Sequence, residues 1–327
     1  MHAKEPYMTT IASPAMRADA CGEVPFPDIV LYNTDRMDRI GYLERFAGYF
    51  RQLGLTEVEH RSLKGLDSRA RAGVLERAGE RAGWLADPGA HLRAAGCKLL
   101  LVAGECLPRS MGLASPDPER LLDRYAALET DVRLFVGVDP HDPASLQRAL
   151  ALGSHPRCAG LSLLPFLDGI PLDHAAYAAT LRAAAERRVP VWVHASAHFR
   201  PDVAYDIGHP RHNDAALMRH PGLRLIMGHA GWPWTDEACI VAQRHPSTAL
   251  EFSTFPPAII RDPAWSLSPL FANRAALRGR IFFGSGATSS PARFERLYRQ
   301  LDEMGLGDDL APWSGDALLT WLRGQEA

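Results

Sequence analysis

Two histidines stand at the ends of apolar runs: His194 near the end of PVWVHAS (190–196) and His229 at the end of LRLIMGH (223–229). Imidazole changes charge near neutral pH, and its ring nitrogens bind zinc at ~2.0–2.1 Å. One histidine in such a place is more often a core residue bonded to a carbonyl. A matched pair on neighbouring strands favours a shared metal ion or a shared substrate. Two carboxylates join them. Glu105 follows KLLLVAG (98–104), and Glu251 lies inside TALEFST (248–254), pointing either into the interior or out against a helix. Carboxylates are seldom buried without a partner, so each is a ligand, a base or half of an ion pair. Cys106 reads as a packed thiol, and Asp139 and His141 as caps of the next helix. The polar loop AHFRPDVAYDIGHPRHND carries His198 and Arg200, which suit an anionic substrate; a solvated connector is the equal alternative.

Eight apolar runs must position these groups. They are PDIVLYN (27–33), KLLLVAG, RLFVGVD (133–139), AGLSLLP (159–165), PVWVHAS, LRLIMGH, TALEFST and RIFFGSG (280–286). None alternates cleanly, as expected for parallel strands buried on both faces. Between them, Ser115-Pro116, Asp142-Pro143 and Ser290-Pro291 mark helix starts. This order predicts an α/β fold, a (β/α)8 TIM-type barrel, whose chemistry lies at the C-terminal strand ends. A doubly wound sheet is the rival, weakened by the lack of a GxGxxG or Walker sequence. The expected organisation is a flexible tail over 1–26 and a single barrel domain over 27–327. Residues 34–97 form a helical insertion between strands 1 and 2.

The 327 residues are 46% hydrophobic and 23% charged, with a formal charge of −2, which leaves no electrostatic footprint for nucleic acid. No apolar run approaches the ~18 residues of a membrane span. Five cysteines without close pairing argue for a reducing compartment, and the cytoplasm is the default expectation. The expected partner is a small-molecule substrate, with no nucleic acid and no membrane.

The stretch ALMRHPGLRLIMGHAGWPWTDEACIVAQRHPSTALEFST (216–254) resembles the amidohydrolase-related (amidohydrolase family 2) metal-dependent hydrolases. PVWVHAS resembles that family's fifth strand, and RIFFGSG its eighth, usually read GSD or GTD. The resemblance implies an amidohydrolase-like barrel holding one or two divalent metals. Members hydrolyse amides and lactones, or decarboxylate and hydrate unsaturated acids, and are often homodimers. Carried over by position, His194 and His229 match as metal ligands. The first-strand histidine pair falls on Val30 and Tyr32, the fourth-strand ligand on Ser162, and the eighth-strand aspartate on Gly286. The expected reading is a hydrolase or C–C lyase for a small acidic or carbonyl compound, with one rearranged divalent metal (zinc, manganese or iron). Glu105 or Tyr32 handles the proton; His198, Arg200 and Trp232 contact substrate. The alternatives are a metal-independent lactonase or isomerase, a non-heme iron oxygenase, and a non-catalytic ligand-binding descendant.

Overall fold

A computed structural model describes residues 17–19, 22–44, 47–253, 268–286, 299–300, 303, 313 and 316–324. Its strands are β1 (Arg17–Asp19), β2 (Cys97–Ala103), β3 (Asp131–Gly137), β4 (Cys158–Leu163), β5 (Pro190–His194), β6 (Arg224–Gly228), β7 (Thr248–Phe252) and β8 (Ile281–Phe283). They form one sheet in sequence order, each pair parallel. The sheet curls until β1 and β8 meet, though no ladder joins them among the described residues. This is the expected TIM-type barrel.

Both faces of the strands are buried, which is why the runs do not alternate. Leu99, Leu101, Phe135, Trp192, Ile226, Ala249 and Phe282 fill the interior. Their neighbours Leu100, Leu134, Val193, Leu225 and Leu250 pack outward in a second core with the surrounding helices.

The helices between β1 and β2 are α1 (Pro27–Arg39), α2 (Ala47–Gln52), α3 (Glu57–Ser62), α4 (Ser68–Ala82) and α5 (Ala90–Ala94). Those that follow are α6 (Pro118–Ala126), α7 (Pro143–Ala151), α8 (Pro165–Asp168), α9 (Ala178–Arg187), α10 (Pro210–Arg219), α11 (Thr235–Arg244), α12 (Ser268–Ala272) and α13 (Asp316–Leu322). Asp142 caps α7 as expected, its side chain accepting from Ala144 N. Helix α6 starts one Pro later than expected, at Pro118 with Asp117 as its cap. The Ser290-Pro291 start lies outside the described residues.

The first strand needs correction. PDIVLYN (27–33) is the start of helix α1, and β1 is Arg17–Asp19, within the stretch 1–26 expected to be a tail. The helix signals were present: Pro27 at the first position, Asp28 in the first turn, Arg36 and Arg39 in the last. Ile29, Val30, Asn33 and Met37 are buried at helical spacing. Tertiary contacts add to this, because buried Arg71 on α4 hydrogen-bonds Leu63 O and pairs with Asp35 and Asp38 of α1. Helix α1 thus carries Tyr32 and Arg36 as one helical face.

Candidate functional site

At the C-terminal end of the barrel, register pairs His194 with Gly228, so His229 follows immediately beside it. Gly228 is required there: a Cβ would meet the Trp192 ring at 2.4 Å. The chain then turns through left-handed backbone at His229 (φ 57°) and Ala230 (φ 49°). Glu251 supports this turn. It is fully buried, points inward, and accepts from His229 N and Trp192 Nε1, each at 3.3 Å. Glu251 therefore belongs to the floor beneath the histidines.

The two imidazole rings meet, with centroids 4.7 Å apart at 71°. Phe166 packs on His194 at 4.3 Å. Ser253 Oγ lies 2.9 Å from His229 Nδ1, while His194 Nδ1 is buried with no hydrogen-bond partner among the described residues. Burial pushes the His229 pKa down to about 4, against an opposing hydrogen bond to the Ser253 backbone. Burial also holds His194 well below the usual histidine range, helped by His229, His198 and the cationic Arg36. Both rings are neutral at pH 7, able to accept or donate a hydrogen bond.

The Arg36 charge reaches His194 from α1. Its guanidinium pairs with Glu105, just beyond β2, and the two side chains are only 12% and 14% exposed. Arg36 Nε and Glu105 Oε2 are buried without partners among the described residues. Tyr32, one turn before Arg36, lies near Ser115 without making a geometrically sound hydrogen bond, and burial raises its pKa above the usual phenol range. A cavity of about 690 Å³ reaches Glu105 between the loop after β2 and helix α7, passing Cys106, Ser115 and Arg148; neither histidine lines it.

The remaining expected site residues lie in the loops after β5 and β6. His198 uses both ring nitrogens inside its own loop, Nε2 with Ala204 O at 2.9 Å and Nδ1 accepting from Arg200 N at 3.1 Å. Arg200 binds Asp202 through two nitrogens and the carbonyls of Phe166 and Leu167. These residues shape the loop rather than extend from it. Trp232 is half-buried, and its carbonyl accepts from Ala197 N at 2.8 Å. Asp139 caps no helix: it ties down the loop after β2 through Arg109 N and Ser110 N. Burial raises the Cys106 pKa, opposite to an activated thiol.

Ser162 is inward-facing on β4, its hydroxyl buried without a partner among the described residues. Gly286 stands at the mouth beyond β8 with φ 58°, left-handed backbone that suits glycine. Because β1 is Arg17–Asp19, the D-x-H-x-H spacing moves to Asp19-Ala20-Cys21-Gly22-Glu23, away from Val30 and Tyr32. Cys21 lies outside the described residues. Glu23 accepts from Asn33 Nδ2 at 2.9 Å. Arg36 was missed altogether; its signal was the i, i+4 relation to Tyr32, invisible while the segment read as a strand.

The amidohydrolase family profile matches residues 111–303, more than half of the chain. The chain belongs to the amidohydrolase family. No curated protein matches it. Among solved structures, the chain is similar to an uncharacterised TIM-barrel protein of Bordetella bronchiseptica, with 18% identity, TM-score 0.60, and 94% and 96% of the two chains covered. It is similar to a Novosphingobium aromaticivorans 5-carboxyvanillate decarboxylase complexed with manganese and 4-hydroxy-3-methoxy-5-nitrobenzoic acid, with 16% identity, TM-score 0.56, and 94% and 96% covered. A third likeness is to the 2,6-dihydroxybenzoate decarboxylase of Rhizobium, with 14% identity, TM-score 0.51, and 72% and 86% covered. These structural likenesses show a shared fold alone.

Whether this amidohydrolase chain suits a divalent metal can be judged from its donors. The paired imidazoles are close enough to share an ion. Catalytic zinc takes three protein ligands, and no group of three His, Cys, Asp or Glu side chains converges among the described residues. Among the described residues that donor set falls short by one.

Proposed function

We propose that this amidohydrolase-fold protein is an enzyme that binds a small hydroxy acid at the barrel mouth and removes its carboxylate by C–C cleavage. The reading is carried by the buried atoms Arg36 Nε, Glu105 Oε2 and His194 Nδ1, which have no partner among the described residues. Each such group costs ~1–3 kcal/mol, so a cluster asks for a polar ligand. Arg36 Nε is a donor and takes a carboxylate oxygen. Glu105 Oε2 is an acceptor and takes a hydroxyl. One hydroxy acid satisfies both, entering through the cavity at Glu105 and displacing the side chains closed over these atoms. The neutral rings of His194 and His229 then bond a second substrate oxygen.

The missing aspartate supports decarboxylation over hydrolysis. Hydrolysis needs a base to take a proton from water, and Gly286 supplies none. Loss of carbon dioxide needs no attacking water: the C–C electron pair stays on the substrate carbon, where a proton replaces the carboxyl group. Tyr32, kept protonated by burial, is the donor on α1 and regains its proton from solvent. Arg36 orients the carboxylate without holding it too strongly, because Glu105 already offsets its charge. The decarboxylases of the same fold, one of them acting on a dihydroxybenzoate, support this class. No step is routed through a metal.

A non-catalytic reading is favoured by one observation, the loss of both the eighth-strand aspartate and the first-strand histidines. The two separate cleanly. Hydroxybenzoic and aliphatic hydroxy acids are incubated with the protein and headspace carbon dioxide is followed by mass spectrometry, beside a pH-stat assay on lactones and esters. Carbon dioxide release lost in Arg36→Met supports the proposal. Lactone hydrolysis, or binding with no turnover of any acid, contradicts it.

A further inference from the structure

We infer that a second ligand site lies at the opposite, N-terminal end of the barrel and takes a compact phosphate-bearing small molecule. A groove of about 500 Å³ opens there beneath the starts of β5 to β8, within the ~300–1,000 Å³ common for small-molecule sites. Four arginines line it, Arg188, Arg224, Arg278 and Arg280, and among the described residues no acidic side chain does. The whole chain has a formal charge of −2, so this concentration is not general basicity. None of the four forms an ion pair among the described residues.

Each guanidinium has a distinct place. Arg224 is 8% exposed; its Nη1 donates to Leu322 O at 3.2 Å and its Nη2 to Trp321 O, and it lies 4.6 Å over the Trp321 ring. Arg280 spends its donors on the carbonyls of Thr248 (3.3 Å) and Ala276 (3.2 Å), among others. Those carbonyls satisfy hydrogen bonds without cancelling charge. Arg188, held in left-handed backbone at φ 55°, and Arg278 are exposed and free to swing over the groove.

Among the described residues no carboxylate offsets the mutual repulsion of these four guanidinium groups. Like charges in a half-buried groove oppose one another far more than in open water, and burial together with the Arg188 charge weakens Arg224's hold on its proton. A bound anion reverses that cost. Guanidinium forks match phosphate oxygens two at a time, which suits a multiply charged, phosphate-type group over a lone chloride. The site shares no residue with the mouth, so it stands whether or not the mouth turns over a hydroxy acid.

The test is calorimetric titration of the full chain with sodium pyrophosphate at fixed ionic strength, with sodium chloride as control. One saturable site is expected, with Kd raised about tenfold or more in Arg188→Gln/Arg278→Gln, a change of about 1.4 kcal/mol per decade. Both residues are exposed, and near-UV circular dichroism confirms that the variant folds. Arg36→Met is expected to bind pyrophosphate as the wild type does. No binding, binding matched by chloride, or undiminished binding in the double variant overturns the inference.

Discussion

The Arg36–Glu105 pair yields the sharpest prediction. Both side chains are nearly buried, so Arg36→Met leaves a carboxylate shut in without its counter-charge. Breaking such a pair costs ~3–5 kcal/mol, and partial exposure argues for the lower end. At about 2.1 cal/mol/K per residue, a chain of 327 residues has an unfolding entropy of about 0.7 kcal/mol/K. A loss of ~3 kcal/mol therefore lowers Tm by about 4–5 °C. Arg36→Met/Glu105→Gln removes both charges and should recover most of that fall while still failing to bind a hydroxy acid. Differential scanning calorimetry of the two singles and the double gives the coupling directly. A single variant within about 1 °C of wild type, or a double whose loss equals the sum of the singles, refutes the claim of a buried, coupled pair.

Other outcomes follow from neighbouring groups. Asp168, buried against Tyr177 and Ser110, has its pKa raised to about 7, chiefly by burial. Its stabilising protonated form is complete below the unfolded value of about 4 and lost as pH rises through 7. Wild type should therefore lose stability relative to Asp168→Asn over that window, on the order of 4 kcal/mol, in urea melts at pH 4 and 8; parallel curves would contradict it. Nitrogen NMR should show the His229 ring neutral at pH 6 and titrating near 4, and a charged ring at pH 6 would undo the neutral-imidazole account. Gly286→Asp places a side chain at φ 58°, costing ~1–2 kcal/mol, and should give no lactonase activity because the sequence from Asp19 to Glu23 offers no histidine. Strong hydrolysis from that one change would contradict the site described above.

The barrel was legible because seven of its eight strands are apolar runs of the kind that only burial on both faces explains. The eighth was not. β1 is three residues, Arg-Ala-Asp, with no hydrophobic signal, while PDIVLYN offers a β-branched run that pattern alone assigns equally well to either element. Helix-start chemistry at Pro27 and Asp28 decided it, together with the Arg71 contacts from α4. That error displaced the family's first-strand positions and hid Arg36. His194 and His229 were legible because strand ends in a barrel converge. The commitments of His198 and Arg200 were not, since a loop's internal hydrogen bonds depend on its path. Glu251 illustrates a middle case: its burial was expected, but its direction rested on which side of β7 faces inward.

In the proposed mechanism the fixed cation of the mouth is Arg36, acting beside two neutral imidazoles. Calorimetric titration of salicylate into protein dialysed against EDTA tests this most directly. Saturable one-to-one binding in the absence of metal, abolished in Arg36→Met, is the result expected. Binding that appears only when zinc or manganese is added, and that survives Arg36→Met, would contradict it.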